Sequence, residues 1–160
     1  MHEPGEPVKK EGDGKAPAGI FTLGNAFGYS KALSTRLSYQ SASKDLICVD
    51  DSRSRYYNQV VHVSPLVKIR SFEWMRRDDS LYKIGIIVNH NKAALAGCGS
   101  CIFLHVEKKR LSPTSGCTSM SYRDLKGLLE WLDPEKEPLL VQIPKQYCPT
   151  AEKLFPGICF

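Results

Sequence analysis

The sequence predicts a mainly β domain, a sandwich or an open barrel, with one or two short helices. Three observations lead there. Short runs rich in β-branched and large apolar residues recur at Leu46–Val49, Val60–Val63, Tyr82–Val88, Ile102–Val106 and Leu139–Ile143, the pattern of strands. Polar or Gly- and Pro-containing stretches separate most of them. Only one segment shows a strong run of leucines at helical spacing. Many short strands with few helices pack as sheet on sheet or as a closed sheet.

Taken in order, residues 1–18 are rich in Gly, Pro and charge and read as loop. Asp-Gly and Pro-containing steps supply its turns. Ile20–Leu23 is a short strand. The strands at Leu46 and Val60 are joined by the polar loop Asp50–Arg55. Phe72–Arg77 is read as one or two helical turns. Ser121 caps the main helix, with Asp124 three residues on in the manner of a capping box. Leu125, Leu128, Leu129 and Leu132 then recur at helical spacing, and Asp133-Pro134 stops the helix, because proline disfavours helix in the residue before it. There is no internal repeat, heptad run or shift in composition, so residues 1–160 read as a single domain, long enough for a substantial core.

The apolar and charged fractions, 42% and 24%, are those of an ordinary globular protein. The net charge of +5 suits an anionic polymer but selects none. Lys108-Lys109-Arg110 is a solvated loop without interleaved aromatics, so no nucleic-acid partner is expected. No stretch reaches the ~18 apolar residues of a membrane span, and none is expected. Met1–Pro7 is polar and lacks the apolar core of a signal peptide.

The six cysteines are Cys48, Cys98, Cys101, Cys117, Cys148 and Cys159. Their number favours an oxidising compartment. If Cys117 stays free, at most two disulfides and one spare thiol remain. Cys148 and Cys159 frame a Pro-rich tail that a bridge can pin. Cys48 and Cys101 lie in apolar strand-like runs and can pair across a sheet.

Cys117 is the residue with the most chemistry in its surroundings. It lies in Pro113-Thr114-Ser115-Gly116-Cys117-Thr118, twelve positions after His105. Most free cysteines are buried and structural, but these neighbours are small and polar. Gly116 lets the backbone turn its N–H groups toward the sulfur, which lowers a thiol pKa and can hold an oxyanion. His105 ends an apolar run, where a strand would hold its ring, with a backbone carbonyl to orient it. His2, His62 and His90 are its competitors. His62 is read as packed within a strand, and His90 as a loop residue bordering a cleft. Tyr82, Asn91 and Ser100 are guesses for the donor pocket by position alone. A zinc site made of Cys98, Cys101, His105 and Cys117 is the main rival, although a single C-x-x-C is a weak signal. Gly12-x-Gly14 and Gly97-x-Gly99 are turns, not phosphate loops.

The segment Lys10-Glu11-Gly12-Asp13-Gly14-Lys15-Ala16-Pro17-Ala18-Gly19-Ile20-Phe21 resembles the early Gly-Asp-Gly segment of YkuD-type L,D-transpeptidase domains. His105 followed by Thr114-Ser115-Gly116-Cys117 resembles the catalytic signature of that family. His105 lies 95 positions after Lys10, so the resemblance spans most of the chain. Ser115 stands where the family usually has a second histidine, and Ser119 near a position often filled by Asn or Arg.

The resemblance implies a β-rich sandwich of the L,D-transpeptidase type, acting on peptidoglycan stem peptides in the periplasm or at the cell wall of a bacterium. An export segment and a first strand would precede this sequence. Cys117 would attack the carbonyl before the terminal D-Ala, with His105 as base and the Val106 carbonyl as its orienter. Gly116, Cys117 and the adjoining Ser115 would support the oxyanion. The acyl group would pass to an amine, making a 3→3 cross-link or anchoring a protein. The alternatives are an L,D-carboxypeptidase, with water as acceptor, and a non-catalytic or zinc-stapled wall-binding module. No cofactor, no metal and a monomer are expected.

Overall fold

Alternation along the strand before the catalytic candidate sets the layers of the molecule. In the computed structural model, which describes residues 8–64 and 68–159, Ile102, Leu104 and Val106 point to one side and Cys101 and Phe103 to the other. Both sides are buried, so each must be covered by a separate layer.

Nine strands and two α-helices are present among the described residues. They are β1 (Gly19–Gly28), β2 (Tyr39–Ser41), β3 (Leu46–Val49), β4 (Val60–His62), β5 (Phe72–Trp74), β6 (Ile84–Val88), β7 (Phe103–Val106), β8 (Thr118–Met120), α1 (Tyr122–Trp131), β9 (Leu139–Gln142) and α2 (Cys148–Leu154). The larger sheet runs β2-β1-β6-β7-β8, with β9 added along the first half of β1. It is mixed: β1 with β2 and β7 with β8 are parallel, and the other pairs are antiparallel. The smaller sheet, β4-β3-β5, is antiparallel. The chain is therefore mainly β.

The helix α1 covers one face of the larger sheet. Leu125, Leu129 and Leu132 lie against Ile84, Ile86, Leu104 and Val106. Ser121 caps it as the sequence predicts, its hydroxyl accepting from the Asp124 N–H at 3.1 Å. The other face meets the smaller sheet through Phe27, Leu46, Cys48, Met75, Tyr82 and Phe103. Gly85 is required there, because a Cβ on it would collide with the Phe27 ring.

Two disulfides form, Cys48–Cys101 and Cys148–Cys159, leaving Cys98 and Cys117 free. The first joins the two sheets rather than two strands of one sheet, with Cα atoms 6.0 Å apart. It closes a span of 53 residues, worth about 4 kcal/mol on the chain-entropy account. The second pins the tail around α2.

Several expectations are corrected. Phe72–Arg77 is not helical: Phe72–Trp74 pairs with β3, and ladder hydrogen bonds outweigh local helix preference. The first strand runs ten residues rather than four, because β9 supports its start and β6 its end. Three elements were unforeseen, β2, β8 and α2. Among the described residues, no helix is long and apolar enough to cross a membrane.

Truncating Leu129, which has no exposed surface, to alanine is expected to cost about 2–5 kcal/mol in urea unfolding. The same change at Trp131, 74% exposed, should shift stability by less than about 0.5 kcal/mol. Equal losses at the two positions would contradict the placement of α1.

Candidate active site

The parallel pairing of β7 with β8 brings the two chemistry-bearing residues to one face. The register sets His105 beside Ser119 and Leu104 beside Thr118. Cys117, two residues before Ser119, thus falls beside Phe103, whose N–H donates to Cys117 Sγ at 3.4 Å. Side chains two apart on a strand share a face. Cys117 and His105 accordingly line one cleft of about 420 Å³, together with Ser115 and Ser119.

His105 is buried and fixed. Its Nδ1 lies 2.8 Å from the Val106 carbonyl. A carbonyl only accepts, so Nδ1 carries the hydrogen and Nε2 is left with the lone pair. The Tyr82 ring meets the imidazole edge to face at 5.4 Å. Burial pulls His105 below the usual histidine pKa. The Val106 carbonyl works against that shift, and the Arg77 charge adds to it.

Cys117 departs from expectation. Its thiol donates to the Cys101 carbonyl at 3.5 Å. Burial pushes its pKa up to about 12, the Glu73 charge adds to this, and the Phe103 N–H pulls the other way. The turn therefore does not acidify the sulfur: one N–H does not offset the loss of water around a thiolate.

The turn itself needs glycine. Gly116 has φ +134°, and a Cβ there would stand 3.0 Å from the Lys15 carbonyl oxygen. Its N–H donates to Thr114 Oγ1 at 3.3 Å, and that hydroxyl donates to the Cys117 carbonyl at 2.6 Å. Of the two amides expected to face an oxyanion, the Gly116 N–H is thus already engaged. The Cys117 N–H makes no hydrogen bond to another described residue. Ser115 is exposed at the rim.

The contact at Gly116 joins segments far apart in sequence. The Gly-Asp-Gly segment reaches the cleft, where Lys9, Glu11 and Gly12 form part of its lining. Glu11 accepts from the Tyr57 hydroxyl and from Ser100 Oγ, the latter at 2.6 Å. Lys9 pairs with Asp13.

Glu73 and Arg77 are among the cleft residues that were not anticipated. Glu73 accepts from the Tyr82 hydroxyl at 2.5 Å. Burial raises its pKa, the Tyr82 bond opposes this, and the Asp50 charge adds to it. Arg77 grips Asp79 with contacts of 2.8 to 3.1 Å. The available signal was the alternation Phe72-Glu73-Trp74, which reads as strand once β3 is recognised as its partner. Of the positional guesses, Tyr82 and Ser100 line the cleft. Asn91 does not, its amide being bonded to the Leu95 and Gly99 carbonyls.

The remaining candidates fall elsewhere. His62 is exposed at the end of β4 and pairs with Asp45 at 2.9 Å, so it is not packed as expected. The His90 ring contacts the Cys98 carbonyl at 2.8 Å, outside the cleft lining. His2 lies outside the described residues. The zinc arrangement loses Cys101, which is bonded to Cys48. Comparison of the chain with family profiles, with curated proteins and with solved structures finds no match.

The electrostatics can be checked by alkylation. Iodoacetamide should modify Cys117 slowly at pH 8, with a rate that climbs toward pH 12. Removing the neighbouring negative charge with Glu73→Gln lowers the thiol pKa and should speed the reaction at fixed pH. An unchanged or slower rate would show that Glu73 does not act on the sulfur.

Proposed function

We propose that the protein is a YkuD-type L,D-transpeptidase acting on peptidoglycan stem peptides. The observation that carries this reading is the meeting of the two motif segments. The Lys15 carbonyl, one residue past the Gly-Asp-Gly turn, stands close to Gly116, and Lys9, Glu11 and Gly12 line the cleft that holds Cys117 and His105. The anchored imidazole, with Nε2 as its basic nitrogen, supplies the base that a neutral thiol needs.

In this mechanism the donor stem lies in the cleft with its terminal D-Ala peptide bond over the sulfur. Nε2 of His105 takes the thiol proton as Sγ bonds to the carbonyl carbon. The Cys117 N–H, without a described partner of its own, faces the developing oxyanion. The imidazolium then protonates the leaving amine, D-Ala departs, and a thioester remains. An acceptor amine attacks, gives its proton to His105, and releases the sulfur.

Mixed charge in the lining suits the stem. Lys108 can meet a carboxylate, beside Lys9 and Arg77, which hold Asp13 and Asp79, while Glu73 and Asp50 can meet an ammonium. Two disulfides fit an oxidising space outside the cytoplasmic membrane. Donor chemistry is the same whether an amine or water accepts, and product analysis with and without an amine separates transpeptidase from carboxypeptidase.

Incubation with a carbapenem should add one drug mass to Cys117, and Cys117→Ala should take up none. D-Ala release from tetrapeptide stems should vanish in Cys117→Ala and fall by about 10²–10⁴ in His105→Ala. Undiminished release in Cys117→Ala would end this reading. Because burial lowers the His105 pKa, the base stays unprotonated into mildly acid solution. The acid limb of kcat/KM should then lie below the ordinary histidine value of 6.5; a limb above it would contradict the shift.

A further inference from the structure

A second cavity of about 340 Å³ lies beside the catalytic candidate, and it has a different character. It shares Cys101 and Ile102 with the first cleft. Where the first is lined by Lys9, Glu11, Asp50, Glu73, Arg77 and Lys108 among others, the second has no ionisable group in its lining apart from the disulfide-bonded cysteines. Its polar groups are four carboxamides, from Asn25, Gln40, Asn58 and Gln59, over the apolar side chains of Val60 and Ile87.

These carboxamides divide into a fixed wall and free contacts. Asn58 is used up by the fold: it donates to the His90 and Asn91 carbonyls, both at 2.9 Å, and accepts from the Cys101 N–H at 3.0 Å. Asn25, Gln40 and Gln59 make no side-chain hydrogen bond to any described residue, yet all three open on the same cavity. The position of Asn25 is built in. Leu23 and Ala26 both pack toward the helix side although they are three residues apart. That spacing requires the extra residue of a β-bulge, which lies between them. Bulges re-aim side chains in this way.

We infer that this cavity binds an uncharged acetamido sugar of the glycan strand, next to the site that takes the stem peptide. A carboxamide offers both donors and an acceptor, which matches the hydroxyl and acetamide groups of such a sugar. Val60 and Ile87 offer an apolar surface to the C–H face of a pyranose ring. Volume is adequate, since small-molecule sites begin near about 300 Å³. The absence of charge disfavours a stem peptide, whose carboxylates and ammonium are met in the first cleft. The identity of the sugar rests on the peptidoglycan reading; the cavity and its free amides do not.

The test uses the full chain carrying Cys117→Ala, with the trimer of β-1,4-linked N-acetylglucosamine as probe and acetyl-trialanine amide as the peptide control. The sugar should move the side-chain NH₂ resonances of Asn25, Gln40 and Gln59 in a saturable way, and the peptide should not. Gln40→Ala with Gln59→Ala should weaken sugar binding at least about tenfold, as expected for two lost hydrogen bonds. Neither amide supports the fold, so the thermal transition should not change. Absence of saturable shifts, shifts from the peptide alone, or unaltered affinity in the double variant would overturn the inference. Carbapenem labelling of the parent chain separates this inference from the catalytic reading. An adduct without sugar binding removes only the sugar site. Sugar binding without an adduct removes only the transpeptidase.

Discussion

The parallel ladder between Phe103–Val106 and Thr118–Met120 is the constraint on which the rest of the site depends. It fixes which face Cys117 and His105 share, and a slip of one residue would send one of them to the opposite face. Its two strands lie only twelve positions apart if counted from His105 to Cys117. Parallel neighbours usually need a longer crossover, so this connection has to travel the length of a strand and return within one loop. The positive φ of Leu111 and of Gly116 makes the reversals that allow it. Glycine is favoured at the second of these because its φ of +134° strains any L side chain and a Cβ would stand only 3.0 Å from the Lys15 carbonyl oxygen.

Burial of the pair sets its chemistry. The imidazole is buried and the thiol half-buried, and their partial loss of water lowers the pKa of the first and raises that of the second, which favours the neutral form of each. A preformed thiolate–imidazolium pair is therefore not the resting state. In the proposed reaction the proton would move as the bond to carbon forms, when negative charge passes from sulfur to the oxyanion and no bare thiolate has to be solvated. Glu73 strengthens this arrangement, since its carboxylate opposes a thiolate in the empty cleft. An ammonium seated beside Glu73 would relieve that opposition, which couples occupation of the cleft to reactivity of the sulfur.

The legible parts of the molecule were those whose signal is local. Leu46–Val49 is four apolar residues in a row because it is buried on both faces, and the leucines after Ser121 repeat because one side of α1 meets a sheet. Both could be read from the residues alone. The cysteine pairing could not: the residues only allowed Cys148 with Cys159 and Cys48 with Cys101, and the fold is what brings each pair together. Tyr39–Ser41 and Thr118–Met120 are three residues long and partly exposed, so no period is established before they end. Glu73 was hidden for a related reason. Its segment becomes a strand only by pairing with β3, and nothing within Phe72–Arg77 records that partner. His105 and Cys117 carried their own signal, whereas the acidic and basic lining comes from four separate stretches of chain that only the tertiary structure assembles.

Cys101 connects these features. It is not glycine, yet its φ is +53°, a conformation that side chains with a Cβ adopt at some cost. What holds it there is visible on every side: the bond to Cys48, and the Asn58 carboxamide accepting from its N–H. In this conformation its carbonyl reaches the Cys117 thiol. The peptide that departs from ordinary geometry thus receives the thiol hydrogen, and the same residue forms the wall between the charged cleft and the amide-lined cavity. Six non-glycine residues among those described have a positive φ, and Cys101 is the one that lines both cavities and accepts the thiol hydrogen.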